Sequence, residues 1–260
     1  MRLFVYVCPK GPYMRYFAEL SYHGGPFFGW QKQPNQMSVQ EAIEQGMSTI
    51  LGSPIELTGC GRTDTGVHAR QYFAHFDFSG EFPEQFLRRL NKFLPAAIAF
   101  RRIFPVGPEA HARYDAVSRS YVYQIDLQKN PFRGDMAYHF PFFEQLDPNL
   151  LQPAADLLLE YEEFYPFCKS NTDTKTNRCQ LSRVAWEYAP HEQTLTFHIS
   201  ADRFLRGMVR LIVGMCLNVG LGKQSLEDVR TALDHQTRLT RSWSVPPQGL
   251  FLTDIRYPYV

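Results

Sequence analysis

The sequence has few cysteines and no recognisable metal-binding or phosphate-binding motif. Its five cysteines are odd in number and lack C-x-x-C spacing, which argues against a disulfide framework and fits a reducing compartment. Its eight histidines include no H-x-x-x-H or H-E-x-x-H pair, so no metal site is indicated. A P-loop and a Rossmann fingerprint are also absent. We therefore expect no metal site and no nucleotide cofactor bound through either of these motifs.

Long hydrophobic runs are missing as well. The apolar start, MRLFVYVCPKG, is interrupted at Pro9 and Gly11, too early for a transmembrane helix or a typical secretory signal. The composition, 44% hydrophobic and 20% charged, is that of an ordinary soluble globular protein. These features predict a cytoplasmic protein with no membrane partner.

The net charge is close to zero but is unevenly distributed along the chain. Residues 86–133 hold nine Lys and Arg against three acidic residues, a local charge of +6, within a protein of net charge +1. Residues 134–165 hold seven acidic residues and neither Lys nor Arg. Such segregation can present a basic face to RNA. The alternative is a set of solvated faces with scattered ion pairs, because a charge pattern alone does not identify a partner.

Hydrophobic periodicity predicts the element order β-α-β-β-α-β, followed by a second round of the same order with additions. The predicted strands are 15–22, 55–59, 71–78, 98–105, 120–127, 181–188, 194–200 and 250–256, and the predicted helices begin at Ser38 and Pro83 or span 148–160, 203–219 and 225–235. We predict an α+β fold with two ferredoxin-like βαββαβ halves forming a largely antiparallel sheet, with helices on one side and a central active-site cleft. The predicted boundaries are an N-terminal extension at 1–14, a first half at 15–110 and a second half at 111–260.

A glycine-rich segment between two predicted strands carries the most concentrated chemistry in the chain. It reads GCGRTDTGVHAR over residues 59–70, and its three glycines indicate a constrained turn. Arg62 lies two residues before Asp64, and a basic group near a carboxylate favours the ionised form that a nucleophile requires. The structural alternative is a turn in which Asp64 caps its own backbone and Arg62 is its ion-pair partner.

The nine residues GRTDTGVHA resemble the catalytic motif of the TruA family of tRNA pseudouridine synthases, which usually reads GRTDAGVHA. Four further blocks are similar to that family in the same order, and the five together extend over residues 16–258. These blocks are YFAELSYHGGPFFGWQKQP with SVQEAIEQ, HARYDAVSRSYVYQI, FLRGMVRLIVG and VPPQGLFLTDIRYP. The chain departs from the family at Cys60 and Thr65, both small, and over residues 164–180, where the usual Ser-Phe-Arg form is absent.

The resemblance implies a cofactor-free isomerisation of uridine in tRNA, at positions 38, 39 and 40 of the anticodon stem-loop, by a homodimer. It gives Asp64, in the first half, the role of covalent catalyst, and Arg62 that of pairing with Asp64 and holding the flipped-out base. Tyr121 would stack on the uracil and could remove a proton, Arg210 would pair with Asp64 or a phosphate, and Leu250 would line the uracil pocket. Two alternatives stay open: a synthase acting at other RNA positions, and a non-catalytic RNA-binding protein on the same scaffold.

Overall fold

The computed structural model describes residues 13–169 and 176–260, which form a mixed α+β fold around one sheet. Its strands are β1 (Met14–Tyr22), β2 (Thr58–Gly59), β3 (His68–Phe78), β4 (Ile98–Pro105), β5 (Ser118–Asp126), β6 (Tyr138–His139), β7 (Leu181–Ala189), β8 (Thr194–Ala201) and β9 (Leu250–Arg256). Its α-helices are α1 (Val39–Leu51), α2 (Phe86–Phe93), α3 (Leu151–Asp156), α4 (Met208–Gly220) and α5 (Leu226–Asp234). Short 3₁₀ turns occupy Phe143–Gln145, Pro148–Leu150, Leu157–Glu160, Tyr165–Phe167 and Pro247–Gly249. The predicted extension at 1–14 falls almost entirely on residues 1–12, which lie outside the described residues.

The sheet has the strand order β4-β1-β3-β9-β5-β8-β7, with β2 paired to β3 and β6 paired to β5. Every neighbouring pair is antiparallel except β3 with β9 and β5 with β6. The mixed α+β class and the mostly antiparallel sheet are thereby confirmed. The parallel pairing of His68 with Phe251 and of Ala69 with Leu252 joins the first half of the chain to the second. We call this junction of β3 and β9 the seam.

Local sequence signals fix the ends of the best-predicted helices. The side chain of Ser38 accepts a hydrogen bond from the backbone N–H of Glu41, as expected of an N-cap. Gly52 ends α1 in the left-handed conformation that a residue without Cβ adopts at low cost. Ser225 and Asp228 form a complete capping box at the start of α5.

Three predicted helices differ from those observed. The helix predicted to begin at Pro83 begins at Phe86, because Gln85 before it has a left-handed φ of 53°. The helix predicted over 203–219 begins only at Met208, because Gly207 has a left-handed φ of 74° and interrupts the turn before it. The helix predicted over 148–160 is a short α-helix between two 3₁₀ turns. Pro153 has no N–H to donate, so an α-helix cannot run without interruption through this stretch.

The hydrophobic core has two parts, one on each side of the seam. The first-half part is rich in aromatic side chains and includes Trp30, which is 2% exposed and stacks on Tyr72 with ring centroids 4.0 Å apart. Trp30 is therefore part of the core. The second-half part surrounds α4, whose side chains are almost all buried. Tyr121 packs against both parts. Within the described ranges, no helix combines the length and apolarity needed to cross a membrane.

Candidate active site

Asp64 lies on a tight turn immediately before the seam. The backbone N–H of Val67 donates to the carbonyl oxygen of Asp64 at 3.1 Å, and Gly66, the third residue of that turn, has a φ of 78°. A positive φ at this position is the requirement of a type II turn and selects glycine. A Cβ on Gly66 would also come within 3.0 Å of the Pro247 side chain. The turn that carries Asp64 is thus fixed by backbone geometry and by contact with the segment before β9.

The glycine-rich turn after β1 packs directly against the Asp64 segment. A Cβ on Gly24 would lie 2.0 Å from the carbonyl oxygen of Val67, and one on Gly29 would lie 2.6 Å from that of Thr63. Distances this short exclude any side chain at either glycine unless the backbone moves. The Tyr22 hydroxyl and Thr63 Oγ1 lie 2.8 Å apart in a buried hydrogen bond. The sequence HGGPFFGW is therefore a support on which the Asp64 segment rests.

His68 links this support to the second half of the chain. Its Nδ1 accepts a hydrogen bond from the backbone N–H of Gly24, so its Nε2 is the protonated nitrogen and donates to the carbonyl oxygen of Gln248 at 3.1 Å. Burial, with a smaller contribution from His23, lowers the pKa of His68 to about 4. The imidazole is therefore neutral at pH 7.

Three cationic side chains surround the carboxylate of Asp64. Arg210 Nη1 lies 3.2 Å and Lys169 Nζ 3.3 Å from Oδ2, while Arg206 Nε lies 3.8 Å from Oδ1. Arg210 is the most buried of the three, with 13% of its side chain exposed, and its Nε donates to the Val245 carbonyl oxygen at 2.7 Å. The contact between Arg210 and Asp64 that the resemblance implies is thus present.

Sequence reasoning missed Lys169 and Arg206 as neighbours of Asp64. Lys169 lies in the stretch 164–180, where the chain departs from the family's usual form, and Arg206 lies just before α4. The only signal available was that departure, because neither residue is near Asp64 in the sequence. The structure brings both within 4 Å of the Asp64 carboxylate.

Arg62 does not form the predicted pair with Asp64. Its Nε donates to Gln31 Oε1 at 3.2 Å, and no Arg62–Asp64 ion pair occurs in the described part of the chain. Arg62 instead lines a cavity of about 140 Å³ on the flank of the segment, together with Trp30, Gln31, Gln40, Leu57, Thr58, Gly59, Gly61 and Arg113. The guanidinium of Arg62 is therefore held away from the carboxylate.

Tyr121 and Leu250 lie on two neighbouring strands, β5 and β9, next to the seam. Tyr121 on β5 is opposite Leu252 of β9, and its ring meets that of Phe204 edge-on at 5.2 Å. Burial, with smaller contributions that include the Asp64 carboxylate, raises the pKa of Tyr121 above its ordinary value. The neutral phenol of Tyr121 is therefore favoured. That Tyr121 removes a proton from the uracil stays a prediction. Leu250 opens β9 and is 6% exposed.

The comparisons with known proteins concern nearly the whole chain. A family model described as tRNA pseudouridine synthase matches residues 18–115 and 154–258. The chain belongs to the tRNA pseudouridine synthase family. Proteins named tRNA pseudouridine synthase A from Azobacteroides pseudotrichonymphae and Parabacteroides distasonis are each 42% identical to it, over 94% of this chain and 97% and 96% of theirs. The protein of that name from Caldicellulosiruptor bescii is 34% identical over 92% of this chain and 97% of its own length.

The family model covers most of the residues at the candidate site but not Tyr121. Asp64 lies in the first matched stretch, and Lys169 and Arg210 lie in the second. Tyr121 lies in the interval 116–153 between the two. Its place in the site therefore rests on the structure, in which the strand pairing of β5 with β9 brings it beside the Asp64 segment.

Proposed function

We propose that this protein isomerises uridine to pseudouridine in tRNA, with Asp64 as the catalytic carboxylate. Membership of the family and the names of its relatives support the activity. One observation carries the assignment of the residue. The Asp64 carboxylate is 23% exposed, stands on a turn fixed by Gly66, and is held by Arg210 at the seam of the sheet. An accessible carboxylate in a fixed orientation is what covalent attack on a nucleotide requires.

The proposed reaction needs no external reagent. An oxygen of Asp64 attacks ribose C1′, the bond between C1′ and uracil N1 breaks with its electron pair going to the base, and the base turns over while held. The bond between Asp64 and C1′ then breaks as C1′ bonds to uracil C5. C5 loses its proton and N1 gains one, so Asp64 is regenerated and atoms and electrons balance. Arg210 would hold Asp64, Tyr121 would stack on the flipped-out uracil and Leu250 would line its pocket. Unstacking the base has a cost of a few kcal/mol, which stacking and edge contacts in the pocket must offset.

The finer architecture is part of the same proposal. The order β4-β1-β3 with β2 beside β3, and the order β9-β5-β8-β7, support two ferredoxin-like halves. We place their boundary near residue 110, with the catalytic cleft at the seam. We further propose that the enzyme is a cytoplasmic homodimer acting on positions 38, 39 and 40 of the anticodon stem-loop. Light scattering that finds a monomer at assay concentrations would contradict the dimer.

The decisive experiment compares wild type with Asp64→Asn on transfer RNA. Tritium release from tRNA labelled at uracil C5 measures turnover, and chemical mapping of pseudouridine locates the product. We expect Asp64→Asn to lose turnover while keeping its fold and most of its tRNA affinity, because affinity comes from many phosphate contacts. Asp254→Asn is the matched control, since Asp254 is 43% exposed and pairs with Arg256 on β9.

Three outcomes of this experiment discriminate among the alternatives. Turnover by Asp64→Asn close to that of wild type would refute the role of Asp64. Tight tRNA binding by the wild type without product in any RNA would identify a non-catalytic RNA-binding protein. Product at uridines outside the anticodon stem-loop would leave the chemistry intact and replace the proposed positions.

A further inference from the structure

The cations around Asp64 are not equivalent in geometry. Lys169 Nζ and Arg210 Nη1 both contact Oδ2, at 3.3 and 3.2 Å. Arg206 makes only the longer 3.8 Å contact, to Oδ1, and its side chain is 66% exposed. Two donors on one oxygen fix the rotation of the carboxylate and leave the other oxygen less engaged. Oδ1 is therefore the oxygen placed to form a bond with the nucleotide.

The backbone just before α4 leaves room for Lys169 to reach Oδ2 of Asp64. Gly207 has a φ of 74°, and a Cβ there would lie 2.8 to 3.0 Å from three carbons of the Lys169 side chain. The backbone N–H of Lys169 donates to the Arg206 carbonyl oxygen at 3.3 Å, which holds the two segments side by side. The aliphatic stem of Lys169 thus crosses Gly207 where a larger residue would displace it.

We propose that Lys169 is a positioning residue for catalysis, which with Arg210 orients Asp64 for attack, and that Gly207 acts through Lys169. The proposal rests on the proposed function of Asp64. Lys169 is 105 positions from Asp64 in the chain and is 35% exposed. A long, flexible, charged side chain loses considerable conformational entropy when it is held in one geometry. Its convergence with Arg210 on a single oxygen is the arrangement that orients a carboxylate.

The test removes the charge of Lys169 while keeping its shape. Lys169→Met retains an unbranched stem, and Lys169→Arg retains the positive charge. We expect Lys169→Met to lower the single-turnover rate about tenfold to a hundredfold, the range that corresponds to losing a hydrogen bond between charged groups. Equilibrium tRNA affinity should change less than about threefold, since many phosphate contacts share the binding. Lys169→Arg should recover most of the rate.

Two further variants separate positioning from general effects of charge or stability. Lys223→Met is the matched control: Lys223 follows the far end of α4 and lies over the Phe142 ring, about 20 Å along the helix from Arg210. Its rate should equal that of wild type. Gly207→Ala should slow the reaction in the same direction as Lys169→Met. Because Gly207 acts through Lys169, the double variant should be no slower than the slower single variant.

Three results of these measurements would overturn the proposal. A Lys169→Met rate within twofold of wild type would overturn the proposal, as would equal losses in Lys169→Met and Lys169→Arg. A loss of tRNA affinity as large as the loss of rate would make Lys169 a phosphate contact and also overturn it. Failure of the proposed function is a different observation, because the wild-type protein itself would then make no pseudouridine.

Discussion

Replacing Arg210 by lysine tests whether the site needs a fork of donors or only a positive charge. Arg210 uses one nitrogen, Nη1, for Asp64 at 3.2 Å and another, Nε, for the carbonyl oxygen of Val245 at 2.7 Å. The backbone N–H of Val245 also donates to the carbonyl oxygen of Arg210. A lysine carries a single ammonium group and cannot reproduce the rigid spacing of the two guanidinium contacts.

The expected size of the effect follows from these contacts. Val245 is 0% exposed, so the loss of the Nε bond leaves its carbonyl oxygen short of a partner in a buried place. An unsatisfied buried group costs about 1–3 kcal/mol in the free energy of unfolding. In a protein of this size that corresponds to a fall in melting temperature of about 2–10 °C. The untethered ammonium would also leave Asp64 less well oriented, and we expect turnover to fall about tenfold to a hundredfold.

Thermal unfolding and single-turnover kinetics on one preparation of Arg210→Lys measure both effects. Arg206→Lys serves as the matched control, because Arg206 is mostly exposed and its contact with Asp64 is the longest. That variant should unfold within about 1 °C of wild type and keep most of its rate. If Arg210→Lys matched wild type in melting temperature and in rate, the fork geometry would be irrelevant and the reasoning refuted.

Four further predictions follow from the same structure. Tyr121→Phe should keep wild-type stability, because the phenylalanine ring retains the packing of Tyr121 against both parts of the core, yet lose about a hundredfold to ten-thousandfold in turnover if the hydroxyl takes part in proton transfer. Single-turnover rates within a few-fold of wild type would limit Tyr121 to stacking. Binding of tRNA should weaken steeply with salt, and Arg88→Glu with Arg89→Glu should flatten the salt slope; an unchanged slope would place the RNA elsewhere. Turnover should survive dialysis against a strong chelator, and its loss with recovery on adding zinc would contradict a metal-free reaction. Stability should fall as the pH drops from about 6.5 towards 4, because burial lowers the pKa of His68 and of His75 to about 4 while the unfolded chain binds their protons near 6.5. At pH 5 this amounts to about 2 kcal/mol for each histidine, and urea unfolding midpoints that are equal at pH 7 and pH 5 would contradict it.

The parts of the fold that sequence reasoning predicted are those with strong local signals. Strands β4 and β9 run over the predicted residues, 98–105 and 250–256, and the caps at Ser38 and Ser225 are where the sequence places them. The two-residue strand β6 had no such signal. It is too short to show alternation and exists because Tyr138 pairs in parallel with the end of β5. Its formation depends on a neighbour and not on its own sequence.

Local charge was a poorer guide than local periodicity. The basic stretch 86–133 predicted a surface for phosphates, but several of its members are committed within the protein. Arg102 and Arg101 pair with the buried carboxylate of Glu19, and Arg119 donates to four backbone carbonyl groups. A charge reversal at Arg101 and Arg102 would therefore break their ion pairs with Glu19. Arg88 and Arg89 on α2 are exposed, so reversing their charges tests phosphate binding alone. Counting charges along a chain cannot distinguish these two uses.

The partners of Asp64 show the same limit at the scale of the site. Arg62 is two residues from Asp64 and was expected to pair with it, whereas Lys169 is 105 residues away and does. Nearness in sequence brings backbones together, but the direction of each side chain is decided by tertiary contacts such as that between Arg62 and Gln31. The resemblance located the carboxylate and Arg210, and only the packing of 164–169 against the start of α4 could reveal the lysine.

The charge balance at the site differs between free Asp64 and the proposed intermediate. Three cations lie within 4 Å of one carboxylate, so three positive charges less one negative charge leave a local surplus of +2. Once Asp64 is bonded to the ribose, its own negative charge is lost and the surplus becomes +3. The phosphates that flank the target uridine are then the only anions the substrate brings to balance it. The local positive surplus is therefore larger in the proposed intermediate than before the reaction, a property of the site that the net charge of +1 does not reveal.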